Sequence, residues 1–159
     1  MKLPWFKGKE PIDIGAYGDY LIESLAVLES WSAELMGLKR GDKRIRNLDR
    51  TVVRVRTVAS DGQDIQPPKS LRRVHKTLLQ MLNAIDWFFA AHSAYADILE
   101  AENSWDDVVR VGMQTADEAS SALLEYAEAF DVALDAAVES GDLEDQRIVG
   151  AAERLFGWY

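Results

Sequence analysis

The chain has 159 residues, the length of one domain, and no Cys, which excludes disulfides, zinc–thiolate sites and thiol nucleophiles. Apolar residues make up 48% and charged residues 28%, the balance of a globular chain rather than a disordered one. Acidic residues outnumber basic ones 27 to 18, and the net charge of −9 argues against general nucleic-acid binding. No stretch reaches the roughly 18 consecutive apolar residues that a membrane span needs. The opening Met-Lys-Leu-Pro-Trp-Phe-Lys-Gly-Lys is too short and too polar for a signal peptide, so the expected location is the cytoplasm.

Residues 1–17 read as an irregular segment. Lys2, Trp5, Phe6, Lys7 and Lys9 form a basic-aromatic head that fits either weak contact with a membrane interface or docking of its two rings onto the rest of the chain. A first helix is expected after Asp19, a good N-cap, with Leu21, Leu25, Leu28, Trp31 and Leu35 on one stripe and Gly37 as its stop. Gly41-Asp42 restarts the chain. Residues 53–57 alternate like a strand, but Ile45, Leu48, Val52, Val55 and Ala59 fit a helical stripe and no second strand offers a partner, so a helix is predicted up to Asp61-Gly62. Gln66-Pro67-Pro68 is a stiff connection.

The third helix carries the clearest pattern. Leu71, Leu78, Ile85, His92 and Leu99 recur every seven residues, and Val74, Met81, Phe88 and Tyr95 fill the alternate row. From Ser70 to Glu102 it would run about 50 Å. Asn103-Ser104 breaks it, and Ser104 with Asp107 resembles a capping box. The fourth helix is expected from Trp105 to Glu139, with Val109, Ala116, Leu123 and Phe130 on one row and the small residues Gly112, Ala119 and Ala133 on the other. Gly141 ends it. Asp142 and Asp145 open a fifth helix carrying Leu143, Ile148, Ala151, Ala152, Leu155 and Phe156, before Trp158-Tyr159. The predicted fold is all-α: a single-domain helical bundle on a long antiparallel hairpin, about 70–102 and 105–139, with three shorter helices along it.

Motifs of known chemistry are absent. No glycine loop for phosphate and no Gly-x-Ser-x-Gly elbow occurs. Neither histidine is preceded at three residues by Glu, so a paired-metal helical site is not expected, and no cofactor is called for. Trp31-Ser32-Ala33 lacks the glycine and the turn position of the Trp-x-Gly hairpin proteins, so no family resemblance is drawn. His92 falls on the core row among Phe88, Phe89, Tyr95 and Ala96, as a hydrogen-bonded core residue or as a ligand or pH-sensitive contact. Asp86 sits in the most apolar stretch yet shares a polar row with Asn83, Ser93 and Asp97, which favours a wet face over a buried acid. His75, among Arg72, Arg73 and Lys76, is expected in solvent. Gln114, Glu118, Ser121, Glu125 and Glu128 read as a solvated helix face.

Two features point to partners. The flank Ala84, Trp87, Ala91, Ala94 and Ile98 makes the third helix apolar nearly all round. Either the fifth helix or the N-terminal segment covers that flank, or a second copy does, with Trp87, Ala91, Ala94 and Ile98 in a homodimer interface. Charge is also segregated: residues 39–76 hold 12 basic and 4 acidic groups, whereas residues 77–159 hold 3 and 17. Arg46, Arg50 and Arg54 then either pair with acids of the later helices or form an anion-binding face for nucleic acid or acidic membrane. The favoured expectation is internal pairing. The leading functional expectation is a non-enzymatic protein that self-associates through its long hairpin. An anion-binding module and a ligand-binding or enzymatic bundle near His92 and Asp86 are the alternatives.

Overall fold

The computed structural model describes residues 10–101 and 105–157, and the fold over them is all-helical, with five α-helices and no strand. The first helix, α1, spans Ile14–Leu35 and starts earlier than the Asp19 cap predicts. Asp13 takes that role instead, its carboxylate accepting from the Ala16 N–H at 2.8 Å. Two contacts draw residues 14–19 into the helix: Tyr17 must reach the core, and Gly18 lies under the side chain of Ile148. Asp19 is left on the outer surface of the helix. The stop at Gly37 holds, with φ of 85°.

The second predicted helix is divided. Lys43–Leu48 is a 3-10 turn capped by Asp42, and α2 proper runs over Asp49–Gln63. The 53–57 alternation therefore lies in a helix. Ile45, Leu48, Val52, Val55 and Val58 are all buried, and burying each such side chain contributes about 1.5–3 kcal/mol. A further 3-10 turn, Lys69–Leu71, leads into α3 over Arg72–Glu100, about 43 Å long. The fourth helix, α4, spans Asp106–Glu139 with Trp105 as its N-cap residue, and α5 spans Gln146–Phe156 with Asp145 as its cap. The Ser104 capping box, the docking of Trp5 and Phe6, and the Trp158-Tyr159 close fall outside the described residues.

Paired contacts give the arrangement. Glu34 meets Thr51, and Tyr20 meets Val58, so α1 and α2 fold back on each other rather than run end to end. Arg147 reaches Asp19 and Arg154 reaches Glu29, placing α5 alongside α1. The α3–α4 contact is the most extensive in the fold, and residues late in α3 meet residues early in α4: His92 touches Ala116 and Ser120, and Tyr95 and Ile98 lie over Gly112. A Cβ at Gly112 would stand 2.8 Å from Ile98 Cδ1, so the small-residue row of α4 is what admits α3 side chains. The core runs through Tyr17, Leu21, Leu25 and Leu28 of α1, the buried faces of α2 and α3, and Leu123, Phe130 and Leu134 of α4. The predicted acidic row of α4, from Gln114 to Glu128, is exposed. No described helix is long and apolar enough to cross a membrane.

Gly62 closes this packing at the end of α2. A Cβ there would come within 2.2 Å of the Tyr20 hydroxyl, which is itself held by the Val58 carbonyl at 2.9 Å, and 2.7 Å of Leu79 Cδ2. Gly62→Ala should therefore lower the unfolding free energy by about 1–3 kcal/mol despite alanine's higher helix propensity, because overpacking outweighs that gain. Urea unfolding checks this; a variant as stable as the parent would show that the α1–α2–α3 junction is looser than described.

Candidate functional site

Three regions hold the residues that sequence reasoning singled out. In the first, His92 of α3 faces α4. Its Nε2 lies 3.1 Å from the Ala116 carbonyl and 2.8 Å from Ser120 Oγ, and Ser120 in turn donates to the same carbonyl at 3.0 Å. Because a carbonyl only accepts, Nε2 carries the proton. Phe88, one turn earlier, stacks on the imidazole at 4.0 Å between centroids and 22° between planes. Burial holds the His92 pKa below its ordinary value, against the opposing pull of the Ala116 carbonyl. Beside it opens a cavity of about 450 Å³ between α3, α4 and the segment joining α1 to the 3-10 turn. Arg40 from that segment reaches across to Asp117 at 2.8 Å.

Asp86 does not join this site. Its carboxylate is half-exposed and accepts from Arg56 of α2 at 2.7 Å. His92 and Asp86 face different helices, so the arrangement offers no acid–base pair. Among the described residues there is also no group of three or more potential metal ligands.

The second region corrects the reading of His75. It is buried, 7% exposed, and not in solvent. Its Nε2–H donates to the Gly62 carbonyl at 2.8 Å and its Nδ1 accepts from the Tyr17 hydroxyl at 3.1 Å. Tyr17 and Tyr20 pack their rings within 6 Å of it. Burial lowers the His75 pKa, raises the Tyr17 phenol far above its usual value, and pushes Tyr20 up to about 12. The neighbours in sequence are basic, but the neighbours on the helix face are Leu71 and Leu78, both fully buried. That spacing was the signal available.

The third region is the basic stretch, where pairing is partial. Arg46 bonds Asp97 and, at 2.8 Å, Glu100; Arg56 bonds Asp86; Arg44 bonds Asp42. The Arg44 side chain and backbone N–H hold the Asp42 carboxyl well below the usual carboxylate range, and Arg46 lowers Glu100. Arg50 and Arg54 are exposed on α2, and neither side chain meets a carboxylate among the described residues. Internal pairing thus accounts for Arg46 and not for the other two.

The predicted interface residues divide between wall and rim. Ala91, Ala94 and Ile98 line one wall of an apolar groove of about 450 Å³, and Val108, Val111 and Thr115 of α4 line the other, with Gly112 at its base. Trp87 is 43% exposed on the same helix one turn before Ala91. Comparison with protein-family models, with curated proteins and with solved structures finds no match for this chain.

The two histidines predict a pH response. Each has a folded pKa below its unfolded value near 6.5, so the unfolded chain takes up the proton first. Their contribution is therefore full above about pH 7.5 and falls as pH drops through 6.5 toward the folded values. Between pH of about 7.5 and 5.5, the parent should lose unfolding free energy relative to the His75→Gln/His92→Gln double variant, as read by urea unfolding. Parallel profiles would show that neither imidazole is buried in its neutral form.

Proposed function

We propose that this chain is a non-enzymatic interaction protein that self-associates, its two long helices forming an antiparallel hairpin whose outward face meets the same face of a second copy. The observation that carries this reading is the apolar groove between α3 and α4, flanked by exposed Trp87, Val108 and Val111 and by Trp105 at 79% exposure. Contiguous apolar surface of this kind is the mark of an interface. The same patch on two copies makes a closed, two-fold contact.

The chain's own candidates for covering the groove are badly placed. The fifth helix lies against α1, and its Phe156 packs on Phe130, 15 residues along α4 from Thr115 and so about 22 Å away. The N-terminal segment is tied down where the Ile12 N–H bonds the Gln66 carbonyl, before α3 begins, whereas Ala91 lies about 29 Å beyond Arg72. A second copy needs no such reach. It supplies an identical apolar groove, and the Asp107–Arg110 pair on α4 provides a polar rim.

Within the basic block 39–76, Arg40, Arg44, Arg46 and Arg56 each hold a carboxylate, which leaves Arg50, Arg54 and the exposed Lys39, Lys43, Lys69, Arg72, Arg73 and Lys76 to the anion-binding alternative. These cations sit in a chain of net charge −9, whose field opposes the approach of a polyanion. No binding to DNA or to anionic vesicles is expected at physiological salt, and micromolar affinity lost in Arg50→Gln/Arg54→Gln would promote that alternative over self-association.

Sedimentation velocity tests the proposal. The parent should sediment as a dimer or larger species at micromolar concentration, and Ala94→Glu/Val111→Glu should sediment as a monomer with unchanged helical circular dichroism. Both positions are exposed, so the variant is expected to fold. A monomeric parent, or a dimer indifferent to these charges, would overturn it.

A further inference from the structure

The two buried histidines of α3 share one tautomer and differ in what their second nitrogen meets. A backbone carbonyl fixes Nε2 as the donor in both, Gly62 for His75 and Ala116 for His92. Nδ1 is therefore an acceptor in both. At His75 the Tyr17 hydroxyl donates to it. At His92 no group among the described residues does, although the residue is only 8% exposed. The buried side-chain atom left unmatched among the described residues is Ser93 Oγ, so Nδ1 of His92 is not sealed off but remains an acceptor that solvent or a ligand donor can reach. In place of a tyrosine, His92 borders the cavity described above.

The walls of that cavity define an occupant. Leu35, Leu38, Ile45 and Phe88 form an apolar side. Its charged residues are Lys39, Arg40, Asp42 and Asp117. Asp42 is occupied by Arg44, and Asp117 by Arg40. Lys39 meets no carboxylate among the described residues, so one positive charge at the mouth is uncompensated. The segment bearing Lys39 and Arg40 runs between Gly37 and Gly41, both left-handed, at φ of 85° and 78°. Arg40 ties this strap to α4 over the cavity. At about 450 Å³ the space falls within the usual range for small-molecule sites, roughly 300–1,000 Å³.

We propose that this cavity binds a small monocarboxylic acid whose apolar body carries a hydrogen-bond donor. The donor meets His92 Nδ1, the body rests on Leu35, Leu38 and Phe88, and the carboxylate sits at Lys39 beside Arg40. The site shares no lining residue with the α3–α4 groove, so it stands whether or not the chain self-associates.

The test uses 4-hydroxybenzoate as probe, with benzoate lacking the donor and phenol lacking the carboxylate. Calorimetry gives the affinity, and amide chemical-shift mapping gives the place. Saturable binding of 4-hydroxybenzoate is expected, with shifts confined to residues 35–45, 88–92 and 116–120, and with benzoate and phenol each weaker by about tenfold. Lys39→Gln should weaken 4-hydroxybenzoate and benzoate alike by about tenfold and leave phenol unchanged. His92→Phe should abolish the preference for 4-hydroxybenzoate over benzoate; since a buried substitution can unfold the chain, Lys39→Gln on the exposed strap tests the same site independently. Absence of saturable binding at low millimolar probe, shifts outside these segments, or affinity indifferent to both the hydroxyl and Lys39 would overturn the proposal.

Discussion

Covering α3 is the constraint on which the rest of the structure depends. It buries more side chains than any other helix, from Val74 to Ala96, and they do not lie on one stripe. Leu78, Leu82 and Ile85 are fully buried within the common core, while Ala91, His92 and Tyr95 are buried where α4 begins. A helix of this kind needs partners on several sides at once. The fold supplies α4 along its length, α2 with the preceding 3-10 turn along another side, and α1 behind them. The electrostatics follow from that placement. The basic segment lies along α3, so Arg56 and Arg46 find Asp86, Asp97 and Glu100 at its border. Such exposed, solvent-screened pairs stabilise little, so these contacts fix register more than they hold the fold.

The polar groups that α3 buries show how it tolerates them. His75 and His92 each give Nε2–H to a backbone carbonyl of another helix. In each case the carbonyl stands where a small residue lets the backbone come close: Gly62 near the end of α2, and Ala116 on the small-residue row of α4. Tyr17 completes the hydrogen bonding of the first imidazole. The second meets a cavity, and this asymmetry is the strongest chemical feature of the molecule.

Much of this was legible in the sequence. Seven-residue spacing defined α3 and α4, and Gly37 and Gly141 marked helix ends, both with left-handed φ. The flank Ala91, Ala94 and Ile98 does line an apolar groove. What escaped depended on tertiary context. Asp13 and Asp19 are equally good caps in isolation, and the choice falls to Asp13 because Tyr17 must be helical to meet His75. The neighbours of His75 in sequence point it to solvent, whereas its burial follows Leu71 and Leu78, four and three residues away. Likewise Arg46, Arg50 and Arg54 share a spacing but not a neighbour: Arg46 belongs to the 3-10 turn beside α3, and the other two face outward from α2. The cavity beside His92 has no sequence signature, since it is lined from three separated segments.

If the one side of α3 left open by its own chain is covered by a second copy, exchange of backbone amides there must depend on concentration. Hydrogen–deuterium exchange measured from submicromolar to high micromolar protein tests this most directly, because locally open helix turns exchange and covered ones do not. The account predicts that residues 87–99 and 105–115 become slower to exchange as concentration rises, while α5 over Gln146–Phe156 stays unchanged. Concentration-independent exchange at residues 87–99 and 105–115, or protection that rises equally in α5, would contradict it.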